Sequence, residues 1–167
     1  SRYGPRPRNE KMAARWGLSR RFVVGYIGTH GMAHGLRNVL DAAERLRHEE
    51  NLSFILVGSG AERIDLMTEA KHRRLDNVIF IPPQTKENMP EVWSLCDVAL
   101  VHLRNSQVFK EVIPSKMFEA MGMGLPLLLA APRGEAADIL ERDGSGLWVS
   151  AEDPGALATS VLDLMKN

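Results

Sequence analysis

A chain of 167 residues, 44% hydrophobic and 25% charged, has the size and composition of one soluble globular domain with a real core. Lysine plus arginine equals aspartate plus glutamate at 21 each, so no cationic excess marks a nucleic-acid binder. The single cysteine, Cys96, excludes an internal disulfide, and neither a signal peptide nor an apolar run of about 18 residues occurs, so a cytosolic setting is expected.

Residues 1–20 read as a linker followed by a short helix. Pro5, Pro7, Arg2, Arg6 and Arg8 give the first eight residues the look of a frayed tail or a severed interdomain connection. Residues 10–17 suit a short helix ending at Gly17. From Arg21 strands and helices alternate. Residues 22–27 form a continuous apolar run, the mark of a strand buried on both faces. A turn over 28–35 follows, then Leu36, Val39, Leu40, Ala43 and Leu46 recur at helical spacing. Residues 52–57 read as a strand, 62–74 as a helix and 78–81 as a short strand closed by Pro82 and Pro83. A helix over 91–95, opened by Asn88 and Pro90, precedes a strand at 98–102; Cys96 there reads as core. Pro114 opens the next helix, because proline suits a first helical turn. Strand 125–130, helix 135–141, strand 146–149 and helix 154–165 complete the chain, the last helix starting at Asp153-Pro154.

About six strands alternating with helices predict an α/β fold, a Rossmann-like, doubly wound parallel sheet with right-handed crossovers. Ligands of such sheets bind beyond the carboxyl ends of the strands. The loops after Ile27, Val57, Ile81, His102 and Ala130 are therefore expected along one edge, and the unusual motifs fall in them.

The turn Gly28-Thr-His-Gly-Met-Ala-His-Gly35 lets a main chain approach a ligand closely, although it is not the dinucleotide fingerprint Gly-x-Gly-x-x-Gly. His30 and His34 lack a third ligand with matching spacing, so metal is not expected; His34 reads as a phosphate contact or a solvated turn residue. Gly58-Ser-Gly60 repeats the glycine pattern after the second strand. Arg104 and Asn105 follow the fourth. The richest stretch is 109–126. Ser115 and Lys116 fall in the first turn of its helix, where free N–H groups attract anions. Glu119 lies one turn on, on an otherwise apolar face, and Glu111 lies in the loop ahead. An anion-attracting helix start between two carboxylates suits a ligand with a diphosphate centre and hydroxylated ends, the layout of a nucleotide sugar.

Glu111-x7-Glu119 followed by Ala-Met-Gly-Met-Gly-Leu-Pro126 resembles the donor-site signature of glycosyltransferase family 4, which has the GT-B fold. Pro114-Ser-Lys-Met-Phe-Glu-Ala-Met121 is similar to the subgroup that transfers N-acetylated amino sugars, fucosamine-type, in bacterial polysaccharide synthesis. The resemblance spans about residues 21–167 and implies the C-terminal, nucleotide-sugar-binding half of such an enzyme. The acceptor half would be an N-terminal domain of the same protein, and the isolated half is expected to lack turnover. Retention of configuration is implied, with no cofactor and no metal; the UDP-sugar or other nucleotide-sugar donor is the substrate. The implied acceptor is a lipid-linked sugar, reached by a cytoplasmic protein, peripheral at the inner face of the bacterial membrane.

The resemblance also carries residue roles. Lys116 and Glu111 become the candidate catalytic residues, Lys116 on the leaving diphosphate and Glu111 on sugar hydroxyls, with a solvated loop carboxylate as the alternative for Glu111. Donor-binding candidates are Gly28, Thr29, Gly31, His34, Gly58, Ile81, Pro114, Ser115, Lys116, Glu119 and Glu135. Ile81 lies in a segment similar to the one whose backbone meets the base. Glu119 would take the ribose diol, or else a neighbouring cation. Glu135 would touch donor or acceptor, or else stabilise its own helix start. Where the family carries arginine and lysine in the first turn, this chain has Thr29 and His34, so Lys116 and backbone amides are left to hold the diphosphate. A sugar-nucleotide 2-epimerase half-domain and a non-enzymatic nucleotide-sugar-binding module are the rival readings.

Overall fold

Runs of branched, aromatic and small apolar residues form one parallel sheet in the computed structural model, which describes residues 2–167. Its strands are β1 (Phe22–Ile27), β2 (Leu52–Val57), β3 (Val78–Ile81), β4 (Val98–His102), β5 (Leu127–Ala131) and β6 (Gly146–Ser150). The spatial order is β3-β2-β1-β4-β5-β6, all neighbours parallel, with Ile27 beside Val57 and Val24 beside Val98. The helices are α1 (Glu10–Arg15), α2 (Arg37–Arg45), α3 (Arg63–His72), α4 (Met89–Trp93), α5 (Ser115–Gly122), α6 (Glu135–Asp143) and α7 (Pro154–Lys166).

Alternating strand residues feed two cores, as a pleated sheet covered on both faces requires. Val23, Ile27, Ile55, Val57, Ala99 and Val101 pack with α1, α4, α5 and α6. Val24, Tyr26, Phe54, Leu56, Val98 and Leu100 pack with α2, α3 and α7. The first and last helices are capped by short polar side chains. Asn9 Oδ1 accepts from the Met12 N–H at 2.9 Å and Asp153 Oδ1 from the Ala156 N–H at 3.0 Å.

Three expectations are corrected. Residues 2–8 are not a frayed tail, because their arginines find acceptors across the domain; Ser1 lies outside the described residues. Arg8 donates to Asp97 Oδ2 at 2.6 Å and to the Arg21 carbonyl at 2.9 Å, and Arg6 pairs with Glu91 at 2.8 Å. Pro114 is the extended residue just before α5 (ψ 134°) and not its first turn, so Ser115 opens the helix. The fifth strand begins at Leu127 and not at 125, since Gly124 in the left-handed region and Pro126 make the turn into it.

Candidate functional site

Strand order reverses between β1 and β4, so the chains leaving these two strands diverge and open a crevice at the carboxyl edge. A cleft of about 280 Å³ lies there, lined by Gly28, Thr29 and His34 from the turn after β1 and by Val112, Pro114, Ser115 and Lys116 before and in α5. A second cleft of about 240 Å³ adjoins it; Gly28, Thr29 and Lys116 line both, and Gly58, Ser59 and Gln84 close the far side. Lys116 thus stands between the two.

The turn after β1 is anchored on three sides. The Tyr26 hydroxyl donates to the Thr29 carbonyl at 2.7 Å, and the Arg104 N–H donates to the Ala33 carbonyl at 2.9 Å. His102, buried at the end of β4, has Nδ1 2.6 Å from the His34 carbonyl and Nε2 2.9 Å from Asn38 Nδ2. A carbonyl only accepts, so Nδ1 carries the proton and Nε2 accepts from the Asn38 amide. Burial pushes the His102 pKa down to about 4, keeping the ring neutral. On the third side Gly58, with φ 141°, lies against the turn: a Cβ there would come within 2.1 Å of the Gly28 carbonyl. Glycine is required by both conformation and space.

The start of α5 presents N–H groups of Ser115 and Lys116 that have no acceptor within the helix. The first helical bond runs from Met117 N–H to the Pro114 carbonyl at 3.1 Å. Lys116 Nζ lies 3.3 Å from Glu119 Oε2, both side chains being partly buried. Glu119 Oε1 accepts from the buried Trp93 Nε1–H at 3.1 Å. Tyr3 approaches the same carboxylate; burial and the Glu119 charge raise its phenol pKa. Glu119 therefore holds a cation, and its place is fixed from α4.

The structure gathers Gly28, Thr29, His34, Gly58, Pro114, Ser115 and Lys116 around the two clefts. Gly31, Ile81, Glu111, Glu119 and Glu135 lie outside their linings. Gly31 shapes the turn by accepting the His34 N–H at 3.1 Å. Ile81 is buried, and its carbonyl takes the Gly58 N–H at 3.1 Å and the Arg63 guanidinium at 3.2 Å. Glu111 and Glu135 are exposed; the Glu135 N–H bonds the Lys110 carbonyl at 3.0 Å, holding the loop after β4 against α6. Gly134 permits that contact, since a Cβ would sit 1.9 Å from the same carbonyl. His30 is fully buried between Tyr26 and Phe80, and neither ring nitrogen has a well-formed hydrogen bond.

Sequence reasoning passed over Trp93, His102, Asn38 and Arg63. A histidine ending an apolar strand at a ligand-bearing edge was the available signal for His102. Trp93 gave none, because an indole in an apolar segment reads as core.

Residues 9–167 match the family described as Glycosyl transferases group 1. WcaI of Escherichia coli (strain K12), described as a colanic acid biosynthesis glycosyl transferase, is 34% identical over 102 residues, covering 61% of this chain and 25% of that protein. The O-antigen chain mannosyltransferase C of Escherichia coli is 28% identical, covering 85% of this chain and 36% of its own length. Matched segments span between 19% and 38% of the curated relatives. Among solved structures, Anabaena Alr3699/HepE in complex with UDP and glucose superposes over 95% of this chain and 42% of its own, with TM-score 0.77 and 22% identity. The sucrose-phosphate synthase of Thermosynechococcus elongatus covers 99% of this chain and 41% of its own, with TM-score 0.81 and 22% identity. These two likenesses establish the fold.

Proposed function

The chain belongs to the group 1 glycosyl transferases, and on that premise we propose that it is the donor-binding half of a retaining, metal-independent glycosyltransferase of bacterial cell-surface polysaccharide synthesis. The observation that carries this reading is the pair of adjoining clefts at the β1/β4 divergence, with Lys116 between them. A nucleotide sugar would lie across the clefts, its diphosphate at the Ser115 and Lys116 amides. UDP is the first expectation, in keeping with the UDP carried by Alr3699/HepE. N-acetylated amino-sugar transfer, of the fucosamine type, is the donor class that the Pro114-Ser-Lys116 form suggests.

In this reading Lys116 and the α5 amides stabilise the diphosphate as the glycosidic bond to it breaks, using dipoles already oriented before reaction. Attack from the leaving-group face is the course this reading takes for retention. Glu111, next to the cleft residue Val112, would meet the sugar, and Glu135 anchors the same loop. The acceptor half would lie outside these residues, in keeping with the quarter to a third of WcaI and the mannosyltransferase that the chain matches. A lipid-linked acceptor at the inner membrane face, met by a cytoplasmic protein, completes the proposal; among the described residues no helix is long and apolar enough to cross a membrane.

Saturation-transfer NMR with UDP, GDP, ADP and their sugars tests it. Transfer to UDP ribose and base protons, competed by a UDP-sugar, is expected. Absence of transfer from every nucleotide at millimolar concentration would remove the donor-site reading.

A further inference from the structure

We propose that His102 is a positioning residue for the diphosphate, acting as a neutral rivet that holds the turn 28–35 to the end of β4; the inference rests on the donor-site reading above. The ring, at the end of β4, bonds twice to the segment that follows β1, across the crevice. On one side Nδ1–H donates to the carbonyl of His34, whose side chain lines the larger cleft; on the other Nε2 accepts from Asn38 in α2. His34 in turn has Nδ1 3.4 Å from the His102 carbonyl, so the two histidines face each other across the seam. His102 is 1% exposed and Asn38 6%, so both bonds are made between buried groups. The turn has no lysine or arginine of its own: Gly28, Thr29 and His34 are its members on the cleft. On the turn's side a phosphate would be met by backbone, with Lys116 of α5 opposite, and backbone donors act only if the turn is held still. Among charged and titratable groups, His34 on the turn and Glu152 after β6 bear on the ring. His102 borders the same cleft, but both its ring nitrogens are taken up within the fold, so it acts through His34.

Two conservative variants separate this role from mere packing. In His102→Asn the amide nitrogen sits the same number of bonds from Cβ as Nδ1 and keeps the donor to His34 while losing Asn38. In His102→Gln the amide reaches as far as Nε2, keeping Asn38 and losing the turn. Dissociation constants for UDP and UMP, with circular dichroism to verify folding, are measured for wild type and both variants. The Gln variant is expected to bind UDP about tenfold more weakly, the scale of one buried hydrogen bond, with a smaller change for UMP. His102→Asn stays within about threefold of wild type, although both variants lose thermal stability. Hydrogen exchange of the Arg104 amide, bonded to Ala33, gives a ligand-free readout and should quicken in His102→Gln alone. Equal UDP losses in both variants, or none in either, overturn the rivet. Wild type that binds neither nucleotide overturns the donor-site reading, and unchanged Arg104 exchange then removes the rivet as well.

Discussion

Lys116 and Glu119 would take different parts of a nucleotide donor in the proposed site, and without one each is the other's partner at 3.3 Å. Their side chains are 32% and 20% exposed, and pairs of this kind contribute about 0–1 kcal/mol. A charge-assisted bond to a diphosphate is worth about 1.5–3 kcal/mol, so Lys116 can leave Glu119 when a donor arrives. Lys116→Ala is accordingly expected to cost about 1.5–3 kcal/mol of UDP affinity and much less for UMP. Equal losses would put Lys116 elsewhere. Glu119 is held by Trp93, Lys116 and Tyr3, and in the donor-site reading it would turn from Lys116 to the ribose diol. Glu119→Gln should weaken UDP and UMP alike and matter little for a 2′-deoxy nucleotide. Trp93→Phe keeps the ring's bulk and removes only the N–H, so it should follow the same pattern at about 0.5–1.5 kcal/mol. A carboxylate serving only as a structural partner would instead show lost melting temperature with 2′-deoxy and ordinary nucleotides affected alike.

At the scale of elements, the loops of β1, β2 and β4 form one interlocked edge, and two perturbations read it out. Gly58→Ala meets the Gly28 carbonyl and a backbone conformation side chains rarely adopt, so a loss of more than about 1–3 kcal/mol of stability is expected by chemical denaturation. The second is acid. The folded His102 pKa of about 4 lies below the ordinary 6.5 of the unfolded chain, so between those values the unfolded state binds more protons. The His102 contribution is fully present above pH 6.5 and is lost as pH falls through 4, on the order of 3 kcal/mol for this buried ring. Burial and Arg63 lower the His30 pKa in the same direction. His102→Asn should flatten part of the fall in stability between pH 6.5 and 4; an unchanged slope would mean that His102 does not titrate there. Much of this layer was legible in the sequence. Strands such as 52–57 announce themselves because burial on both faces leaves apolar residues at every position but Ser53. Glycine-rich turns at 28 and 58 were visible as turns, but their mutual contact, made by backbone between distant residues, leaves no local pattern.

For the molecule as a whole, the first residues belong to the domain. Arg8 reaches Asp97, whose Oδ2 also accepts the Val23 N–H at 2.8 Å, so the tail is tied to the first strand of the sheet. Proline and arginine looked like linker because the sequence does not say that carbonyls of Leu18 and Arg21 wait for a guanidinium. Arg8→Ala should lower the melting temperature by on the order of 5–10 °C, from about 2–3 kcal/mol spread over a domain of this size. The central claim is that this unit carries a nucleotide diphosphate site at the β1/β4 crevice. Titration calorimetry of the chain with UDP at modest ionic strength tests it most directly, with Lys116→Ala beside wild type. Saturable one-to-one binding, weakened at least about tenfold in the variant, is the predicted result. Binding of equal strength in both, or no heat from UDP or any other nucleoside diphosphate at millimolar concentration, would contradict it.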